Sequence, residues 1–180
     1  MDTIIVAILV IVLVLVIWYI STYNSIKVLK IKIDEALSGI DVALTKRYDV
    51  LTKMVDVCKA YKQHETELLT EVISLRSGMS MQDRNNASRQ MDVLAGKINV
   101  LAENYPELKS SNNFVQLQKA IMDVEEHLQA SRRLYNSNVT SYNAKIVMFP
   151  NSIVAGAMGA VSEEFFVAED VKRQDVKMSF

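Results

Sequence analysis

Between Thr3 and Ile20 the chain reads TIIVAILVIVLVLVIWYI, 18 residues without a charge, nearly all Ile, Val and Leu, closed by Trp18 and Tyr19. No other stretch limits so strongly what the chain can fold into. As a helix it is about 27 Å long, against a bilayer hydrocarbon core of about 30 Å. Its β-branched residues lower helix propensity in water. In lipid no solvent bonds the backbone, and a helix satisfies those groups internally. A secretory signal would carry a positive n-region, an apolar run of roughly 7–15 residues and a small-residue cleavage site. Here Asp2 is the only charge ahead of a longer run, and no such site follows Ile20. The stretch is read as a retained transmembrane signal anchor.

Lys27, Lys30 and Lys32 are the first charges beyond the span, with Asp2 on its other side. Positive charge favours the cytoplasmic side, which predicts the N-terminus outside and the long C-terminal part in the cytoplasm. Trp18 and Tyr19 suit the interfacial belt on that same side. Lys27 and Lys30 share a helix face. They either meet anionic headgroups at about 1 kcal/mol each or belong to a solvated stalk, and both readings stand.

From Ile33 the apolar positions alternate by four and three: Ile33, Leu37, Ile40, Leu44, Arg47, Leu51, Met54, Cys58, Tyr61, Glu65, Leu68, Val72, Leu75, Met79. That spacing predicts a helix packed lengthwise with coiled-coil geometry. A second stripe (Ala36, Ala43, Val50, Val55, Val57, Leu69, Ile73) widens the face beyond a two-stranded seam and predicts three or more packed helices. No proline separates Ile20 from Ile33, so span and first bundle helix are expected to run on, with Ser21–Ser25 the one place for a break. Arg47 and Glu65 interrupt the seam and are assigned to fixing helix register, with a polar site as the alternative. Cys58 reads as a small buried apolar residue, and a single cysteine excludes an internal disulfide.

Gly78 offers a cap for the first helix, and Ser80 through Asp83 offer N-cap chemistry for a second. That helix carries Ala87, Met91, Leu94, Ile98, Leu101 and Tyr105 and stops before Pro106. Asn104–Lys109 is expected to be a connector, with Ser110 and Ser111 capping a third helix that ends at Pro150. In the third helix Tyr135-Asn136 and Tyr142-Asn143 stand seven residues apart, after Arg132-Arg133. Two turns stack the tyrosines on one face. The pattern predicts a hydrogen-bonded core layer, with a strip for a ligand or partner as the alternative. Unequal helix lengths suggest an up-down-up path with an extended connector, first and third helices parallel, and Glu65 paired with Arg132 or Arg133. Asn151–Val161 predicts a short fourth helix, and the aromatic, charge-studded remainder a tail that packs back in part or binds a neighbour. The expected divisions are residues 1–25 (anchor and interface), 26–160 (helical bundle) and 161–180 (tail).

With 20 Lys and Arg against 21 Asp and Glu, the chain has no general attraction for nucleic acid. His64 and His127 lack the Glu-x-x-His pattern of di-iron bundles, since Tyr61 and Val124 stand three residues before them. No HExxH, phosphate loop or nucleophile elbow occurs. No cofactor or catalytic group is expected, and an enzyme is the weakest class.

The residues also resemble a known family. IDEALSGIDVALTKRYDVLTKMV, Tyr61-x-x-His64-Glu65, Asn104-Tyr105-Pro106-Glu107-Leu108-Lys109, Arg132-Arg133-x-Tyr135-Asn136, Tyr142-Asn143, Phe149-Pro150 and the C-terminal aromatic-acidic segment are similar to the bacterial LemA family. Lys46 stands where that family has an arginine, and Thr52-Lys53 where it has Pro-Asn. The resemblance implies an all-α chain, a single anchor continuing into an antiparallel helical bundle of three long helices and a short fourth, at the bacterial inner membrane, with no established enzymatic activity. The expected function is a membrane-anchored scaffold or interaction protein. Its partners would be the bilayer and further copies of itself or another membrane-associated protein. The alternative is a module binding a small molecule or lipid at the Tyr/Asn strip.

Overall fold

The structure is a computed structural model that describes residues 2–61 and 79–166. It holds five helices among them: α1 (Asp2–Tyr61), α2 (Met81–Asn104), α3 (Pro106–Ser110), α4 (Asn112–Val147) and α5 (Asn151–Ala157). No strand occurs among the described residues. The apolar span is the first part of α1, which passes through Ser21–Ser25 without a break. None of its most apolar window is buried, whereas Thr22 and Ile26 just beyond it are.

The described residues form two compact units, each taking part of α1 and part of α4. The first comprises residues 2–40 and 128–164. Its core is Ile26, Ile33, Ala36 and Ile40 from α1, Leu128, Tyr135, Val139, Tyr142 and Ile146 from α4, and Val154 and Ala155 from α5. Spacings of three, four and seven keep each set on one helix face. Asn138 Nδ2 donates to the Lys32 carbonyl at 2.9 Å, and Ser131 lies 3.6 Å from where a Cβ on Gly39 would stand. Numbers fall along α1 as they rise along α4. These stretches therefore run in opposite directions, and the parallel register expected for the first and third helices is corrected.

The second unit comprises residues 41–61, 79–127 and 165–166. Its core joins Leu51, Met54, Val55 and Cys58 of α1 to Ala87, Met91, Leu94, Ile98 and Ala102 of α2, Leu108 of α3 and Phe114 of α4. Here Asp41 pairs with Arg84, and Arg47 with Ser88 and Asp92, so numbers climb together and α1 and α2 run the same way. The up-down-up path required the reverse. Charged and polar partners (Asp41 with Arg84, Arg47 with Ser88 and Asp92) mark this register, which spacing of apolar residues alone does not carry.

α2 opens on a full capping box: Ser80 Oγ accepts from the Asp83 amide and the Asp83 carboxylate accepts from the Ser80 amide. Tyr105 is non-helical before Pro106, as the proline requires. The connector is not extended, however. Pro106 occupies the first turn of α3, where its fixed φ suits a helix start, and the turn drives Leu108 to full burial. Ser111 Oγ then accepts from the Phe114 amide at 3.3 Å, the cap expected for the next helix.

Candidate functional site

Two polar clusters stand out, one in each unit. In the first, the chain leaves α4 through Phe149-Pro150 and forms α5. Gly159, with φ of 64°, closes α5: its amide donates to Gly156 O and that of Ala160 to Ala155 O. Beyond it residues 161–166 are non-helical. This segment returns to α4. Asn143 Nδ2 donates to Glu163 O, and the Glu163 amide donates to Asn143 Oδ1, both at 2.9 Å. One amide side chain thus satisfies both main-chain groups of one residue. Tyr135 Oη donates to Glu164 O at 2.9 Å, and Lys30 Nζ of α1 donates to Glu163 Oε1 at 2.5 Å.

Lys30 also lies 3.7 Å from Asp34. Partial burial lowers its pKa, but the Glu163 hydrogen bond and charge, with Asp34, leave it above the usual lysine value. Burial, and secondarily the Glu163 carboxylate, push the Tyr142 hydroxyl up. The side chains of Tyr135 and Tyr142 are buried, with Asn136 and Asn143 half-buried beside them. Of the two Tyr-Asn pairs, Tyr135 and Asn143 carry hydrogen bonds to the segment beyond α5. The partners of Tyr135 and Asn143 include the main chain of Glu163–Glu164, a contact no helix-face pattern could reveal. The only hint was two adjacent acids beside Phe165 and Phe166 in a tail otherwise without a heptad.

In the second unit Arg47 is almost wholly buried. Nη1 donates to Ser88 O at 3.1 Å, and Nη2 pairs with Asp92 and, at 2.5 Å, with Glu125. Arg84 grips Asp41 in a fork, Nε to Oδ1 at 2.6 Å and Nη2 to Oδ2 at 2.8 Å. Arg47 thus joins α1, α2 and α4. Glu65, expected in the same layer and as partner of Arg132 or Arg133, lies outside the described residues, as do seam positions from Glu65 to Leu75. Arg132 is half-buried and Arg133 exposed, both in the first unit. Asp41, Arg84, Asp92 and Glu125 are site residues that sequence reasoning missed.

Along the span, Thr3 through Ile17 are exposed, Trp18 is half-buried, and Tyr19 and Ile20 are exposed. Lys27 is exposed over the Tyr23 ring at 5.8 Å. Lys32 is exposed, and Lys30 is committed to Glu163. Burial raises the Cys58 thiol pKa, which suits packing and not reactivity. Among the described residues no three His, Cys, Asp or Glu side chains gather as metal ligands; His64 lies outside them.

The chain is therefore an all-helical protein whose first helix is long and apolar enough to cross a membrane. A model of the LemA family matches residues 36–180, most of its length, and the chain belongs to that family. Protein LemA of Metamycoplasma hominis is 34% identical over 153 residues, covering 82% of this chain and 70% of the relative. A magnetosome protein, MamQ of Magnetospirillum gryphiswaldense, is 24% identical over 71 residues, covering 39% of this chain and 26% of MamQ. The family match starts beyond the apolar span, so the reading of that span rests on its own chemistry.

Proposed function

We propose that this protein is a single-pass, membrane-anchored helical scaffold at the bacterial cytoplasmic membrane. Its N-terminus lies outside and the helical bundle lies in the cytoplasm. It acts by self-assembly or by binding another membrane-associated protein, without enzymatic chemistry. The observation that carries this reading is the contrast within α1: residues 3–17 are all exposed although nearly every one is apolar, while buried positions begin at Thr22. Water would oppose leaving so much apolar surface uncovered, and a bilayer removes that cost. The lysines beyond the span support the orientation, and the magnetosome name of one relative is consistent with a membrane setting. The small-molecule alternative loses ground, because Tyr135 and Asn143 spend hydrogen bonds on the chain's own main chain.

Cysteine labelling in intact cells tests the topology. A cysteine introduced at Phe180, in a chain with Cys58 replaced, should resist a membrane-impermeant reagent until the cells are opened. Labelling from outside would overturn the orientation. Extraction in mild detergent followed by mass measurement should find more than one copy or a bound partner. A strict monomer with no co-purifying protein would overturn the scaffold reading.

A further inference from the structure

Three exposed apolar residues stand in a row where α4 ends: Val147, Met148 and Phe149, the last 81% exposed. Ile153 of α5 is exposed beside them, while its neighbours Val154 and Ala155 are buried. The corner is tight: the Ser152 amide donates to Met148 O and that of Ile153 to Pro150 O. From Ile146 to Ser162 no side chain carries a charge. Elsewhere in α4 the exposed large apolar residues Val115, Met122 and Leu134 stand singly, which any surface tolerates. A contiguous exposed patch marks a contact.

The register of α1 and α4 identifies the occupant. Ser131 lies against Gly39 and Asn138 bonds Lys32, so numbers rise along α4 as they fall along α1, residue for residue. Continued to its end, α4 brings Val147–Phe149 level with Tyr23–Ser21 of α1, directly past the apolar span. There α1 is already covered on one face, with Thr22 buried and Trp18 half-buried among exposed neighbours. Lys27 and Lys145 lie roughly 6–9 Å farther from the span, about the depth of a headgroup layer.

We propose that Val147, Met148, Phe149 and Ile153 form a second membrane contact, seated in the interfacial layer of the leaflet from which α1 emerges. The inference rests on the anchored reading above and names the part of the bundle that meets lipid. Apolar side chains at that depth leave water, the charge-free turn brings no ion into the layer, and the two lysines stand among headgroups. The span already holds the corner at the surface, so a few side chains suffice.

Nitroxide scanning tests this in the full-length chain carrying C58A, reconstituted in vesicles of phosphatidylcholine and phosphatidylglycerol. One cysteine at a time replaces Leu9, Ile31, Phe149 or Ile153, all exposed, and is spin-labelled. Collision with oxygen, which concentrates in lipid, is compared with collision with a water-soluble nickel chelate. Labels at 149 and 153 should follow the label at Leu9, with an oxygen-to-nickel ratio severalfold above that at Ile31, which stands roughly 15 Å beyond the corner. A ratio at 149 and 153 no higher than at Ile31 overturns the contact. If Leu9 is still lipid-like in that case, the corner falls and the anchor stands. If Leu9 is water-like, the anchored reading falls and takes the corner with it. Loss of both collisions at 149 and 153, with spin–spin broadening, means that a second copy covers the patch, and the lipid contact falls.

Discussion

Arg47 and Lys30 present the same chemical problem in two surroundings. Each is a cation of α1 answered by carboxylates of other elements. Arg47 sits in a side-chain environment only 3% exposed, and its partners Ser88, Asp92 and Glu125 all belong to long helices. Lys30 is 40% exposed, and Glu163 belongs to a segment outside any helix. A buried guanidinium whose countercharges are removed has nowhere to find water. A rim ammonium exchanges a carboxylate for solvent at small cost. The first arrangement fixes helix register. The second fastens a short stretch of chain that lies outside the helices.

The largest effect should come from stripping Arg47 of its countercharges. D92N/E125Q leaves the guanidinium buried without a compensating charge and should cost about 3–5 kcal/mol. R47M should cost less than half as much, because the remaining Asp92 and Glu125 side chains, 39% and 36% exposed, are hydrated where they stand. Chemical denaturation followed by helical circular dichroism measures both. The comparison breaks if R47M proves the worse variant.

An intermediate effect belongs to the contact of Lys30, Tyr135 and Asn143 with residues 163–164. N143A removes two hydrogen bonds to Glu163, about 1–2 kcal/mol against local release of the segment. A dye on a cysteine at Phe165, which is 46% exposed, should show lower anisotropy. Cleavage within residues 160–166 should rise by about tenfold, the factor that 1.4 kcal/mol represents. Helix melting should hardly move. A loss of global stability matching D92N/E125Q would make the segment an integral part of the core, and the contrast with Arg47 would vanish.

The periodic part of this architecture was open to reading. Ile33, Ile40, Leu44, Arg47, Leu51, Met54 and Cys58 are all buried as their four-three spacing requires, because side-chain direction in a helix follows from position alone. Ser80-x-x-Asp83 and Tyr105-Pro106 marked helix ends through local chemistry that needs no tertiary context. Direction and pairing were not legible. Apolar seams are nearly symmetric under reversal, and the groups that break the symmetry, Asp41, Arg84, Asp92 and Glu125, look in sequence like ordinary solvated charges. α3 was missed because a five-residue turn exists only through the burial of Leu108. The rim contact depends on Lys30 and Glu163, 133 residues apart, which no local pattern joins.

The smallest effect separates the two sites by pH. In the folded chain Lys30 holds its proton more tightly than an ordinary lysine, through Glu163 and Asp34 against the opposing effect of burial. A raised pKa means that the stabilisation is complete below the unfolded value, near 10.5, and is lost as pH rises through the folded one. Tyr142 acts in the same direction: burial favours its neutral form, so its contribution is complete below about 10 and is lost above it. Docking of residues 163–164 should therefore be flat from neutral pH to about 10 and weaken beyond. Solvent screening keeps the Lys30 part well under 1 kcal/mol. The anisotropy of the dye at residue 165 should fall above pH 10 in the unaltered chain, while helical circular dichroism is retained. In N143A, where the segment is already loose, the same titration should be nearly flat. An anisotropy signal that falls with acid, or falls only together with the helices, would show that the rim and the core are not separate fastenings.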